Sequence, residues 1–266
     1  MSKNRSPVIF FILVFVLTIP FWALSTFVKF EGLPDNLPVT DIGATFVPLI
    51  AAAILVYRKE KFDGVKRLIL RMFDFANIKK KIWYIPIVLL MPVLYLITYV
   101  IMRMIGLQIP TTWNIPTLTP LIFPAFFIAA AGEELGYMGY AIDPMQERWS
   151  ALTVCLIMGT LHAVWHYPSM IELGQSPALM AWGTLFTVAI RILIVWLYNN
   201  TGKSVIAVVL FHAIGNTGRS IFPGGRSSFE TGNAVVGYSL VVITAVVVTF
   251  LWGKDTLTRF RHINHN

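Results

Sequence analysis

The chain reads as an all-α protein, a polytopic membrane helical bundle with about eight transmembrane helices. Three observations predict this. Hydrophobic residues make up 56% of the 266 positions, and the mean hydropathy is +0.71. Charged residues make up 13%, against about 25% in a soluble domain. Apolar runs of about 18–25 residues recur from end to end, long enough to cross a roughly 30 Å hydrocarbon core. A membrane β-barrel would show alternating segments of about ten residues instead.

Taken in order, the predicted spans are 8–28, 40–57, 82–104, 118–141, 150–168, 179–198, 203–218 and 234–252. The first follows Lys3 and Arg5 and is longer than a signal-peptide core of about 7–15 residues, so it reads as a retained helix despite the faint cleavage-site pattern Ala23-Leu24-Ser25. The first connection is acidic, with Glu31, Asp35 and Asp41. The second, 58–81, holds nine of the 21 Lys and Arg. There Phe62, Val65, Leu68, Ile69, Leu70, Met72 and Phe73 alternate with basic residues at helical spacing, which predicts an amphipathic helix on the inner leaflet. No internal repeat is evident, and residues 1–266 read as one membrane domain.

Charge sets the orientation. With both termini cytoplasmic, sixteen Lys and Arg fall inside and four outside, and Arg191 lies within the sixth span. The net charge of +8 is explained by this distribution beside membrane helices, facing anionic headgroups. A lipid bilayer is therefore the expected partner and nucleic acid is not. The location expected is a multi-pass protein of a bacterial plasma membrane. One cysteine, Cys155, excludes an internal disulfide and reads as a packing residue.

Polar residues inside such spans carry the functional signal, since a carboxylate at mid-membrane costs about 2.5–3.5 kcal/mol on insertion scales. Glu133 and Glu134 end a long apolar run in the fourth span, among Gly132, Gly136 and Gly139. Small residues let helices approach closely, so the acids should face protein rather than lipid. A carboxylate held there can serve as a general base or as a structural partner of a cation, and Arg191 is the intramembrane cation available. His162 and His166 are i, i+4 on the fifth span and share a face, a spacing that also suits two zinc ligands. His212 and Asn216 repeat that spacing on the seventh. They can donate hydrogen bonds to an oxyanion or simply bond between helices.

In order, spacing and membrane context, these three elements resemble the CPBP family of intramembrane proteases, which includes CAAX prenyl endopeptidases and bacteriocin-processing or immunity proteins. The family motifs are Glu-Glu-x-x-x-Arg, Phe-x-x-x-His and His-x-x-x-Asn. Here they fall at Glu133-Glu134, at His162 to His166 and at His212 to Asn216, within a motif-bearing core of about 118–218. Two positions depart: Met138 replaces the motif Arg and His162 replaces the motif Phe. Arg191 could supply the missing charge.

The resemblance implies endoproteolysis near the membrane. Glu133 would activate water with help from His166, His212 and Asn216 would hold the oxyanion, and Glu134 would stabilise the site. Apart from the resemblance, His162 and Arg191 are expected as electrostatic support. No cofactor is favoured. If zinc is used, Glu133, His166 and His212 form a ligand set with an open position. The expected partner is a peptide or protein substrate, prenylated or membrane-associated. The alternatives are an inactive binding or immunity protein and an ion- or proton-coupled transporter.

One geometric condition follows. A fourth helix ending near Tyr140 would leave Glu133 near the cytoplasmic side, with His166 about 16 residues, or roughly 24 Å, up its own helix. The two meet if the fourth helix runs on past Tyr140, or if Asp143-Pro144 starts a short helix there.

Overall fold

The structure is a computed structural model that describes residues 5–27, 43–111, 119–230 and 234–258. All regular structure among them is helical. The acidic first connection and the basic tail residues Arg259 and Arg261 lie outside the described residues.

Each expected span corresponds to a helix. They are α1 (Pro7–Phe27), α2 (Val47–Leu70), α3 (Tyr84–Met104), α4 (Thr119–Gly136), α6 (Ala151–Glu172), α7 (Pro177–Asn200), α8 (Val205–Ser220) and α10 (Ala234–Trp252), with short helices α5 (Ile142–Gln146) and α9 (Gly225–Glu230) between them. Among the described residues, five segments are long and apolar enough to cross a bilayer by themselves: Pro7–Ser25, Lys81–Met104, Pro120–Gln146, Pro177–Asn200 and Ala234–Trp252. The helices outside that group have physical reasons for it. α2 carries Arg58, Lys59, Glu60 and further charges, α6 carries His162 and His166, and α8 has 16 residues with His212 and Asn216 among them.

Helix α4 packs between α2 and α8. α7 packs between α6 and α10, and α3 covers α8. Large apolar side chains such as Ile12, Val16, Leu89, Leu96, Val246 and Phe250 remain exposed. Water would penalise that surface, and hydrocarbon does not. Buried apolar residues from all of the long helices form one core.

The close approach of α4 to α2 comes from its glycines. A Cβ at Gly132 would stand 2.7 Å from Thr45 O, and one at Gly136 2.5 Å from the backbone of Pro48. No side chain fits there, so the helix face carrying the acids is turned into protein.

Two expected boundaries change. Helix α4 does not stop near Tyr140. It continues through a π-helical turn, Tyr137–Ala141, directly into α5. This fulfils the first of the two routes by which Glu133 and the fifth span can meet. The wider π turn strands backbone carbonyls, and basic side chains take them up. Arg5 Nη1 donates to Gly139 O at 3.0 Å, and Arg71 Nη1 donates to the same oxygen at 3.0 Å.

The segment 58–81 is also not one amphipathic helix. It begins inside α2, which is broken by positive φ at Lys61, and after Leu70 it proceeds in 3₁₀ turns at Arg71–Phe73, Phe75–Asn77 and Lys81–Trp83. Its exposed Phe62, Ile69, Leu70 and Phe73 retain the apolar face the spacing suggested. Its polar residues tie helix ends together. Arg71 Nη2 donates to Tyr198 Oη at the end of α7 and to Lys203 O, each at 2.8 Å. Asp74 accepts from Val205 N at 3.0 Å, Ile206 N at 3.2 Å and Ser204 Oγ at 2.8 Å. An acidic cap on the first turn of α8 satisfies donors that have no partner within the helix and complements its dipole.

Candidate active site

Four helices bring the polar residues of the spans together. α4 supplies Glu133 and Glu134, α6 supplies His162 and His166, α7 supplies Arg191, and α8 supplies His212 and Asn216. Glu133 is 6% exposed and Glu134 fully buried, so neither faces lipid.

Arg191 is the hub. Its Nη1 donates to Glu134 Oε2 at 2.8 Å, and its Nη2 lies 3.0 Å from His162 Nδ1. A guanidinium only donates, so His162 Nδ1 accepts and the ring proton resides on Nε2. That Nε2 faces Glu133 Oε2 at 3.2 Å, at an angle short of hydrogen-bond geometry. Glu134 Oε1 takes His212 Nδ1 at 2.9 Å. A carboxylate only accepts, so His212 carries its proton on Nδ1. Both oxygens of Glu134 are thus engaged, whereas Glu133 Oε2 keeps unused accepting capacity.

Glu133, His162, His166, Arg191, His212 and Asn216 line a single cavity of about 410 Å³. Its remaining wall is largely apolar, including Met91, Ile122, Ala125 and Phe126. The His166 ring centroid lies 4.9 Å from that of His162 and 4.7 Å from Trp165. Trp165 is in turn fixed by donating from Nε1 to Thr18 Oγ1 on α1 at 2.8 Å. Asn216 Oδ1 accepts from Arg219 Nη2 at 3.1 Å. An amide oxygen held in this way leaves the Asn216 N–H donors for another acceptor.

Tyr137, Arg71 and Asp74 escaped the sequence reading. The Tyr137 ring lies 4.9 Å from the Arg191 guanidinium and 5.0 Å from the His162 ring. Its signal was available, since it is i+4 from Glu133 and i+3 from Glu134. Arg71 and Asp74 gave no such signal, because they act through helix ends distant in sequence.

Ligand atoms of Glu133, Glu134 and His212 come within 4.8 Å of one another. His166, the third donor of the zinc set expected from sequence, is not part of that cluster.

Apolar helices of bilayer length around a buried acid–imidazole–amide cluster define the class as an integral membrane protein with a polar cluster beside an apolar cavity. Residues 115–218, which hold all of these groups, match the family described as Type II CAAX prenyl endopeptidase Rce1-like. A curated relative, CAAX prenyl protease 2 of Methanococcus maripaludis, is 26% identical over 239 residues, covering 83% of this chain and 86% of the relative. Both matches agree with the resemblance to the CPBP family of intramembrane proteases that the motifs carry.

Proposed function

We propose that this protein cleaves a peptide bond in a prenylated or otherwise membrane-associated protein, using water activated by Glu133. The observation that carries this reading is the shared cavity. Glu133 lines it with accepting capacity to spare, opposite an imidazole from α6 and a His–Asn pair from α8.

In this mechanism the substrate's apolar part occupies the Ile122–Phe126 wall. His166 orients a water, Glu133 takes its proton as the water oxygen adds to the scissile carbonyl, and Glu133 returns that proton to the leaving amine as the C–N bond breaks. The tetrahedral oxyanion is held by Asn216 Nδ2 and by Nε2–H of a His212 imidazolium, whose Nδ1–H remains on Glu134. His162, fixed as the Nε2–H tautomer by Arg191, keeps the Glu133 carboxylate aimed into the cavity. Arg191 provides the cation that Met138 does not, and this favours an active protease over an inactive immunity or binding protein.

The donor set fits zinc poorly. The acids and imidazole that cluster are Glu133, Glu134 and His212, and Glu134 is already occupied by Arg191 and His212. The guanidinium also places a full positive charge beside a second cation. The reaction is therefore assigned to this chain's own acid and bases.

The positive-charge asymmetry supports a topology with both termini cytoplasmic, and the reading keeps a bacterial plasma membrane as the location. The deciding experiment for the function is cleavage of a prenylated reporter peptide by purified protein in bilayer discs, wild type against Glu133→Gln. Cleavage lost in the variant supports the assignment. Binding without cleavage in the wild type overturns it in favour of the inactive reading. Ion flux through liposomes abolished by the same variant, with no cleavage, overturns it in favour of a transporter.

A further inference from the structure

A second cavity, of about 230 Å³, shares no lining residue with the one that holds Glu133. It lies at the end of the bundle where α1 begins and α2 ends. Three guanidiniums line it: Arg5 ahead of α1, Arg67 in the last turn of α2, and Arg71 just after that helix. Arg5 and Arg71 both donate to Gly139 O of the π turn, at 3.0 Å each, which holds two of the forks side by side.

Two carboxylates share this pocket, Glu60 and Asp143. Asp143 has a cation of its own, since Lys203 Nζ lies 2.9 Å from Oδ1, and Tyr198 Oη donates to Oδ2 at 3.3 Å. Asp74, 3.9 Å from Arg71 Nε, is engaged by the first turn of α8. Glu60 Oε2 accepts from Arg67 Nη2 at 2.7 Å, whereas Oε1 stands 3.9 Å from Arg5 Nη2, beyond hydrogen-bond length. One carboxylate thus faces two guanidiniums, and the lining keeps a positive excess. On the same segment Phe62, Ile69, Leu70 and Phe73 are exposed. Side chains of that kind enter the acyl boundary while basic neighbours stay at headgroup level. Phosphate is the anion of that layer, and planar forks of donors match its oxygens.

We propose that Arg5, Arg67 and Arg71 form a phosphate-binding site, filled by the headgroup of an anionic phospholipid or by free phosphate. A phosphate between the three forks supplies acceptors that Glu60 alone does not. It also ties together the start of α1, the end of α2 and the π turn that follows Glu133 and Glu134. The site is separate from the cavity of Glu133, so the inference stands whether or not the chain cleaves peptides.

The test titrates the purified full chain, in neutral detergent at constant ionic strength, with short-chain phosphatidylglycerol, phosphatidylcholine of the same chains, or inorganic phosphate. Thermal stabilisation gives an apparent Kd for each. Phosphatidylglycerol should stabilise at lower concentration than phosphatidylcholine, or inorganic phosphate should stabilise by itself. Arg67 is half exposed and bonds Glu60, so its replacement leaves the helix-tying bonds of Arg5 and Arg71 in place. Arg67→Gln should weaken the binding about 10-fold, the loss of one charge-assisted contact, and Arg67→Lys by less. Lys66→Gln removes an equal charge at a neighbouring position outside the pocket and should leave the binding unchanged. Glu60→Gln removes the competing acid and should tighten it. Lipid binding that inorganic phosphate does not displace assigns the headgroup as the source, and displacement assigns the free anion; both support the site. Equal response to the two lipids with no response to inorganic phosphate overturns it. So does equal weakening by Arg67→Gln and Lys66→Gln, the behaviour of a diffuse basic surface.

Discussion

The Arg191 guanidinium on α7 lies 2.8 Å from the Glu134 carboxylate on α4, with Arg191 1% exposed and Glu134 fully buried. The two residues are 57 positions apart in the chain. A pair so placed resists disruption of either member alone. Arg191→Met should destabilise by about 3–5 kcal/mol, because it leaves a buried carboxylate without its charge partner. Adding Glu134→Gln should recover part of that loss. Thermal unfolding in detergent measures both, and a harmless Arg191→Met would show that the pair contributes nothing.

Asn216→Ala and His212→Ala should each lower kcat by about 100- to 1000-fold, the usual cost of one oxyanion donor. KM should move little, because the lost contact forms in the transition state. Steady-state cleavage of the prenylated reporter separates the two parameters. A rise in KM at constant kcat would reassign these residues to substrate binding.

Gly136→Ala should destabilise by about 1–3 kcal/mol through overpacking, since its Cβ would meet the Pro48 backbone at 2.5 Å. Gly215→Ala provides the contrast. Its nearest neighbour would be Met91 Cγ at 3.5 Å, an ordinary contact, and alanine favours a helix. That variant should unfold at or slightly above the wild-type temperature. Equal behaviour of the two variants would contradict the close α2–α4 approach.

Asp74→Ala should cost about 2 kcal/mol, the upper end of a helix-capping loss. It removes the acceptor for Val205 N, Ile206 N and Ser204 Oγ together. Hydrogen exchange should rise first in the opening turn of α8. Unchanged exchange there would mean that the cap is dispensable.

Chelators should leave cleavage intact, and purified protein should contain no stoichiometric zinc. Loss of activity with EDTA and its return on adding zinc would replace the glutamate mechanism by a metal-assisted one.

Much of the architecture was legible because hydrocarbon imposes a simple code. Runs of apolar residues near bilayer length gave every long helix, and the glycines around Glu133 and Glu134 forecast their turn away from lipid. The legibility failed where the code is silent. A π turn depends on which carbonyls Arg5 and Arg71 can reach, and nothing in Tyr137–Ala141 announces it. The apolar residues from Phe62 to Phe73 have helical spacing, yet bonds from Arg71 and Asp74 to other helices favour 3₁₀ turns over a regular continuation.

The chain by itself determined which residues could not be left in a bilayer without a purpose: two acids, three imidazoles, an amide and one buried arginine. It could not state who meets whom, because a periodic pattern gives the face of a helix but not its height or its neighbour. Tertiary packing decided that the guanidinium would serve Glu134 and His162 at once, that His212 would turn Nδ1 to Glu134, and that Glu133 would keep an oxygen for the cavity. Those assignments depend on distances of about 3 Å between helices, and hydrogen bonds weaken too steeply with distance and angle for sequence spacing to set them.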